Sequence, residues 1–225
     1  MGRDNSPRER QQRQLERKKK GKRADCERIL IVSEGSKTEP LYFDEIRVEL
    51  RLPAANIAVV PGALGTEPIQ VVQYAKDLFE NGDLHKGIEP RVFDRVYAVF
   101  DRDDHGTYFD ALRLAQSLNK TLKNDYKHGV VFEAVASVPS FELWLLLHYE
   151  DIRAPIDRYE VMRRLRIHIP GYDKGAGQAF AVTRKRLDDA KQRADDLATR
   201  FDAFSAPEPY TDVVALVKLL TALRS

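Results

Sequence analysis

The sequence contains one cysteine, Cys26, among 225 residues, and it contains no long apolar run. A single cysteine excludes an internal disulfide framework and a cysteine-based zinc site. The longest apolar stretches, Leu143–Leu147 among them, are far shorter than the roughly 18 residues that a membrane span requires. The N-terminus also lacks the apolar segment of a secretory signal. We therefore expect a cytoplasmic protein that does not contact a membrane.

The chain has little excess of either charge, with a formal net charge of +2, but the charge is unevenly distributed. Residues 1–28 hold eleven Lys/Arg and five Asp/Glu, which leaves the remainder mildly acidic. Residues 1–27 are polar and rich in Arg, Gln and Lys, a composition that predicts a disordered arm. Such an arm can bind the phosphate backbone of nucleic acid. The same composition is equally typical of a tail that only keeps a protein in solution, and both interpretations stay open.

Four short apolar runs predict buried strands, at residues 28–33, 56–60, 96–100 and 129–136. The stretches between them carry apolar residues every three or four positions, as helices do. Alternation of strand and helix is typical of a parallel sheet. We expect a mostly parallel four-stranded α/β domain over residues 28–150. A helical extension over residues 151–225 should pack on it, with long helices near 179–201 and 211–223.

Acidic residues follow two of the predicted strands. Glu34 comes after the first, and Asp101, Asp103 and Asp104 come at the end of the third. The carboxyl ends of parallel strands lie at one edge of a sheet, so these side chains should converge there. Carboxylates that gather repel one another, and an oxygen-coordinated divalent cation relieves that repulsion. The sequence thus predicts a Mg²⁺ or Mn²⁺ site. A solvated loop in which Asp101 caps a helix is the alternative.

Glu142 is a further candidate metal ligand, because an unpaired carboxylate on an otherwise apolar helix is costly. A salt bridge, or backbone N–H groups at the helix start, would explain it equally well. Lys174 is a weaker candidate for lining a substrate groove, and a solvated position explains it better.

Candidate substrate contacts flank the acidic residues. Lys37 can hold a phosphate oxygen as a point charge, and Gly35 and Ser36 offer donors where a helix begins. Gly62 and Gly65 would allow close approach of a phosphate, although an ordinary turn also explains them. His105 could contact substrate or metal, or be a surface histidine.

Three blocks of the sequence resemble the RloB-like family of bacterial proteins: ILIVSEGSKTEPLYF at 29–43, VFDRD at 99–103 and SVPSFELWLLLH at 137–148. Weaker similarity lies at Tyr172–Lys174 and Pro209–Val213, so the resemblance spans about residues 28–223. A glutamate and glycine after the first strand, with D-x-D after a later one, also look like a Toprim domain.

The resemblance implies a Mg²⁺-dependent endonuclease that hydrolyses phosphodiester bonds of DNA or RNA, tRNA included, in bacterial anti-phage defence, often beside an ATPase. It implies that Asp101 and Asp103 ligate the metal and that Glu34 ligates it or acts as general acid/base. The main alternative is a non-catalytic Toprim-like subunit that binds nucleic acid or a companion ATPase. A phosphatase of the haloacid-dehalogenase kind ranks lower, because its D-x-D lies on the first strand. The oligomeric state is not indicated.

Overall fold

A computed structural model describes residues 27–223, except positions 55, 64, 66, 104 and 105. The strands are β1 (Ile29–Ser33), β2 (Ile57–Pro61), β3 (Arg95–Asp101), β4 (Val131–Val138) and β5 (Tyr210–Thr211). The α-helices are α1 (Thr38–Glu49), α2 (Pro68–Asn81), α3 (Tyr108–Leu118), α4 (Glu142–Leu147), α5 (Arg158–His168), α6 (Ala179–Thr183), α7 (Leu187–Ala198) and α8 (Val213–Ala222).

The strands form one sheet in the order β2-β1-β3-β4-β5. The first three pairings are parallel, which confirms the mostly parallel α/β fold, and β5 runs antiparallel to β4. The prediction of four strands was wrong. The fifth strand is only two residues long, held by the Ser137–Thr211 hydroxyl hydrogen bond at 3.0 Å, and so short a strand has no detectable alternation.

Helices cover both faces of the sheet because the central strands are apolar on both sides. Alternate residues of β1 supply the two cores: Ile29 and Ile31 pack on one face, Leu30 and Val32 on the other. The first core includes α1, α4, α5, α7 and α8, and the second includes α2 and α3. Trp144 Nε1 donates to Tyr42 Oη at 2.7 Å in the first core, which fixes α4 against α1.

The C-terminal region differs from its expected pattern in two places. The long helix expected near 179–201 is interrupted by a 3₁₀ turn at Arg184–Arg186, which separates α6 from α7. Thr211, expected to begin the last helix, lies in β5, and α8 starts two residues later. Among the residues that the structure describes, none of the helices has the length and apolar character needed to cross a membrane.

Candidate functional site

The sheet order creates a switch point between β1 and β3. From β1 the chain turns one way to β2, with α1 on one face, and β3 lies on the other side of β1, with α2 on the opposite face. In open α/β sheets, ligands bind beyond the carboxyl ends of the strands at such a point. Glu34 directly follows β1 and Asp101 ends β3, so both residues lie at this edge.

Glu34 and Asp101 are in contact at the switch point. The Glu34 side-chain Oε2 accepts a hydrogen bond from the Asp101 backbone N–H at 3.0 Å, and Glu34 N donates to Val99 O at 2.8 Å. The predicted convergence of these two residues is therefore present. Asp101 is 8% exposed and belongs to β3, so it is neither part of a solvated loop nor a helix cap.

Two further carboxylates belong to the same cluster. Burial raises the pKa of Asp101 well above its usual range, and repulsion from Glu39, Glu142 and Glu34 adds to the rise. Burial likewise raises the pKa of Glu39 to about 7, with smaller contributions from Glu142 and Glu34. Four carboxyl groups, three of them buried, thus lie close enough to repel one another, and we call Glu34, Glu39, Asp101 and Glu142 the acidic cluster.

Lys174 supplies a positive charge to the acidic cluster. Its Nζ lies 3.0 Å from Glu142 Oε2, which also accepts a hydrogen bond from Ser140 Oγ at 2.8 Å. Burial alone would lower the pKa of Lys174, but attraction to Glu142, Asp101 and Glu39 raises it. Glu142 is 2% exposed, so the salt bridge considered for it from sequence is the arrangement observed.

Tyr172 lies beside the Glu142–Lys174 pair with an unsatisfied hydroxyl group. Its Oη is buried and makes no hydrogen bond within the described structure. Burial, followed by repulsion from Glu142 and Glu39, raises the pKa of this phenol. A buried donor left unpaired next to carboxylates is suited to a ligand oxygen or a water molecule.

Asp103 does not continue the strand alternation of Asp101. β3 ends at Asp101, and Asp103 lies in the following turn with a left-handed backbone, φ 31°. Its Oδ2 is 2.7 Å from Arg158 Nη1, and its Oδ1 is buried without a hydrogen-bond partner. The carboxylate is thus paired with the start of α5, and its role as a metal ligand stays a prediction.

The predicted substrate contacts fall into two groups. Gly35 and Gly62 lie at the switch point: Gly62 N donates to Ser33 O at 2.7 Å, and a Cβ there would be 3.0 Å from that oxygen. Ser36 and Lys37 are exposed at the start of α1. Gly65 (φ 134°) lies against Gln70, with its carbonyl oxygen beside Gly62. His105, like Asp104, is outside the described residues.

Sequence reasoning did not identify Glu39 and gave Lys174 little weight. Glu39 is in the first turn of α1 and is 8% exposed, five residues after Glu34 in the block that resembles the family. Lys174 lies in the block Tyr172–Lys174, which resembles the family only weakly. That resemblance was the one sequence signal that pointed to it. Arg158, which pairs with Asp103, had no such signal.

The donor atoms of the acidic cluster suit a hard divalent cation, but the side chains are not arranged as a set of metal ligands. Its donors are all carboxyl oxygens, which Mg²⁺ prefers, and Lys174 supplies one positive charge among the four carboxyl groups. Across the described part of the chain, however, three or more Asp, Glu, His or Cys side chains are nowhere arranged as a ready set of metal ligands. Binding would require rotation of the carboxylates, and we treat the cation as a proposal.

Comparison with known proteins assigns the chain to a family. No curated protein and no solved structure matches it significantly. The model of the RloB-like protein family matches residues 29–220, from the first residue of β1 into α8. The match includes every residue of the acidic cluster as well as Lys174. The chain therefore belongs to the RloB-like protein family.

Proposed function

We propose that this chain is a Toprim-type nuclease that uses Mg²⁺ or Mn²⁺ to hydrolyse phosphodiester bonds in DNA or RNA. The observation that carries the proposal is the contact between Glu34 and Asp101 at the switch point, inside a cluster of four carboxylates. As implied by the resemblance described above, the work of such a protein would be anti-phage defence in the bacterial cytoplasm, beside a companion ATPase.

The residues divide the work by position. Asp101 and Glu34 would hold the cation. Glu39 and Glu142 lie close enough to Asp101 to interact with it electrostatically. A bound divalent cation would neutralise the phosphodiester charge and activate the attacking oxygen. Lys37, exposed at the start of α1, lies where it can contact a phosphate oxygen. Lys174 pairs with the buried carboxylate of Glu142 at 3.0 Å and compensates its charge.

The test is cleavage of labelled DNA, RNA and tRNA by the purified chain with Mg²⁺, with Mn²⁺ or with EDTA, and with and without a companion ATPase. We expect metal-dependent cleavage that Asp101→Asn abolishes. Glu133→Gln is the matched control, because Glu133 is an exposed carboxylate on β4, away from the sheet edge. Mg²⁺ should also raise the melting temperature of the wild type but not of Asp101→Asn. Cleavage that persists in Asp101→Asn would show a contaminant.

A second candidate function is supported by the Glu142–Lys174 ion pair and by the lack, in the described residues, of a preformed three-ligand set. Both features suit a non-catalytic Toprim-like subunit that binds nucleic acid or a companion ATPase. Wild type that cleaves nothing under every condition, and whose melting temperature does not respond to Mg²⁺ or Mn²⁺, would favour this alternative.

A further inference from the structure

A cavity of about 490 Å³ opens next to the acidic cluster. One wall comes from the turn after β3, through Arg102 and Asp103, and from Pro139 after β4. Asp103 N donates to Pro139 O at 3.3 Å, which joins these two segments. The other wall is the start of α5. The volume is in the range of small-ligand pockets, and Arg102 in its lining directly follows Asp101.

The lining of the cavity is mostly apolar, and its two arginines balance its two aspartates. Arg158 Nη1 pairs with Asp103 Oδ2 at 2.7 Å, and the Asp157 carboxylate accepts from the backbone N–H groups of Tyr159 and Glu160. The ring of Tyr159 is 80% exposed at the cavity wall. The apolar lining consists of Val138, Pro139, Pro155, Ile156 and Pro207. Such a cavity suits a neutral planar ring better than an anion, with Tyr159 as a stacking partner.

Helix α5 connects the cavity to the acidic cluster. Its first residue, Arg158, pairs with Asp103, and near its end Arg166 Nε donates to Tyr172 O at 3.2 Å. The helix holds four arginines and one glutamate in eleven residues, a length of about 16 Å. Three of these arginines pair with carboxylates, Arg158 with Asp103, Arg163 with Glu160 and Arg164 with Glu150. A phosphodiester chain that passes along the helix would offer them phosphate oxygens in exchange for these carboxylates.

We propose that the cavity binds one unpaired base of a single-stranded nucleic acid, stacked on Tyr159, while the strand's backbone follows α5. This inference rests on the proposed nuclease function and names its substrate class: single-stranded or locally unpaired DNA or RNA. A base within a duplex is stacked and paired, so it can enter the cavity only after both contacts are broken. Stacking of bases on aromatic side chains beside a positive groove is how proteins bind single strands without sequence preference.

Binding in EDTA tests the inference separately from cleavage. Fluorescence anisotropy with single-stranded RNA, single-stranded DNA and the corresponding duplexes should show tighter binding of single strands. Tyr159→Ala should weaken single-strand binding about five- to hundred-fold. Tyr159→Phe, which keeps the ring, should bind as the wild type does. Tyr126→Ala is the matched control, because Tyr126 is exposed near the start of β4, at the opposite edge of the sheet.

A 2-aminopurine base moved along the single strand would locate the contact. We expect quenching at one position, lost in Tyr159→Ala and kept in Tyr159→Phe. Duplex binding as tight as single-strand binding, or unchanged binding by Tyr159→Ala, would overturn the inference and leave the nuclease proposal intact. Conversely, single-strand binding that depends on Tyr159, without any metal-dependent cleavage, would support the inference and refute the nuclease activity.

Discussion

The side chain of Glu34 accepts a hydrogen bond from the backbone N–H of Asp101 at 3.0 Å, across 67 positions of sequence. This contact joins the ends of β1 and β3 at the switch point, where the order of the strands reverses. It makes Glu34 both a structural acceptor and a member of the acidic cluster. The two roles can be separated by substitution, because an amide oxygen can replace the acceptor but not the charge.

Glu34→Gln should retain the fold and lose activity. The glutamine oxygen can still accept from Asp101 N–H, so the free energy of unfolding should change by no more than about 1 kcal/mol. Loss of the charge should lower the rate of metal-dependent cleavage about 10²- to 10⁴-fold. Urea unfolding and single-turnover cleavage measure the two effects, with Glu133→Gln as control. A glutamine variant that cuts at the wild-type rate would rule out a catalytic charge at position 34.

Lys174→Met should destabilise the protein and make it more responsive to Mg²⁺. The substitution leaves the Glu142 carboxylate, 2% exposed, with Ser140 but without its cation. Since Lys174 is 45% exposed, water can partly replace it, and we expect a loss of about 1–3 kcal/mol. Adding Glu142→Gln should restore part of that loss. Thermal unfolding with and without Mg²⁺ measures both effects. If Mg²⁺ raises the melting temperature of wild type and variant equally, Glu142 does not take part in binding the cation.

Gly35→Ala should act through Glu39. A Cβ at position 35 would overlap Glu39 Oε2, the mobile end of a side chain, so Glu39 should move away at a cost of about 1 kcal/mol. The cost should vanish in a Glu39→Ala background, which a double-mutant cycle in urea would reveal as non-additivity. Additive losses would mean that the new methyl group is opposed by the backbone instead.

His148 should make the protein less stable in acid. Burial lowers its pKa from 6.5 to about 4, with a smaller lowering by Arg193 and an opposing effect of Asp189. Between these two pH values the unfolded chain binds a proton that the native state excludes. The stability from this group is therefore complete above pH 6.5 and is lost as the pH falls toward 4, by up to about 3 kcal/mol.

The comparison for this prediction is His148→Gln, which does not titrate. The raised pKa values of Glu39 and Asp212 give slopes of the opposite sign, so the difference between wild type and variant is the quantity to measure. Urea unfolding at several pH values gives the free energy of unfolding of each protein. Between pH 6.5 and 4 the difference between wild type and variant should change with pH at the slope expected for the uptake of one proton on unfolding. Parallel curves for wild type and His148→Gln would contradict the prediction.

Deletion of residues 1–26 should weaken nucleic-acid binding and reduce its dependence on salt. These residues lie outside the described structure, and their sequence carries ten Lys/Arg and four Asp/Glu. Fewer phosphate contacts release fewer counterions, so the slope of log K against log salt should become shallower. Glu27 is retained because it pairs with Arg95 at the start of β3. An unchanged slope in anisotropy titrations would assign the arm no role in binding.

The local pattern predicted most of the sheet. The runs of β1 and β3 are apolar on both faces, which only a strand covered on both sides can satisfy, and both strands are central. Short or interrupted elements escaped this reasoning. β5 has two residues, and the 3₁₀ turn at Arg184–Arg186 carries no glycine or proline to mark it.

The candidate site was predictable where a strand carries its residue to a known edge, or where a carboxylate interrupts an apolar helix, as Glu142 does. The sequence alone determined that Glu34 and Asp101 lie at one edge of the sheet, because parallel strands share their carboxyl edge. Their contact requires that β1 and β3 be neighbours, which the strand order of the tertiary structure decided. The positions of Glu39, Lys174 and Arg158 were decided by the tertiary structure. They lie on helices and a loop, whose placement depends on the packing of distant apolar side chains, and no local pattern encodes which carboxylate a distant cation will reach.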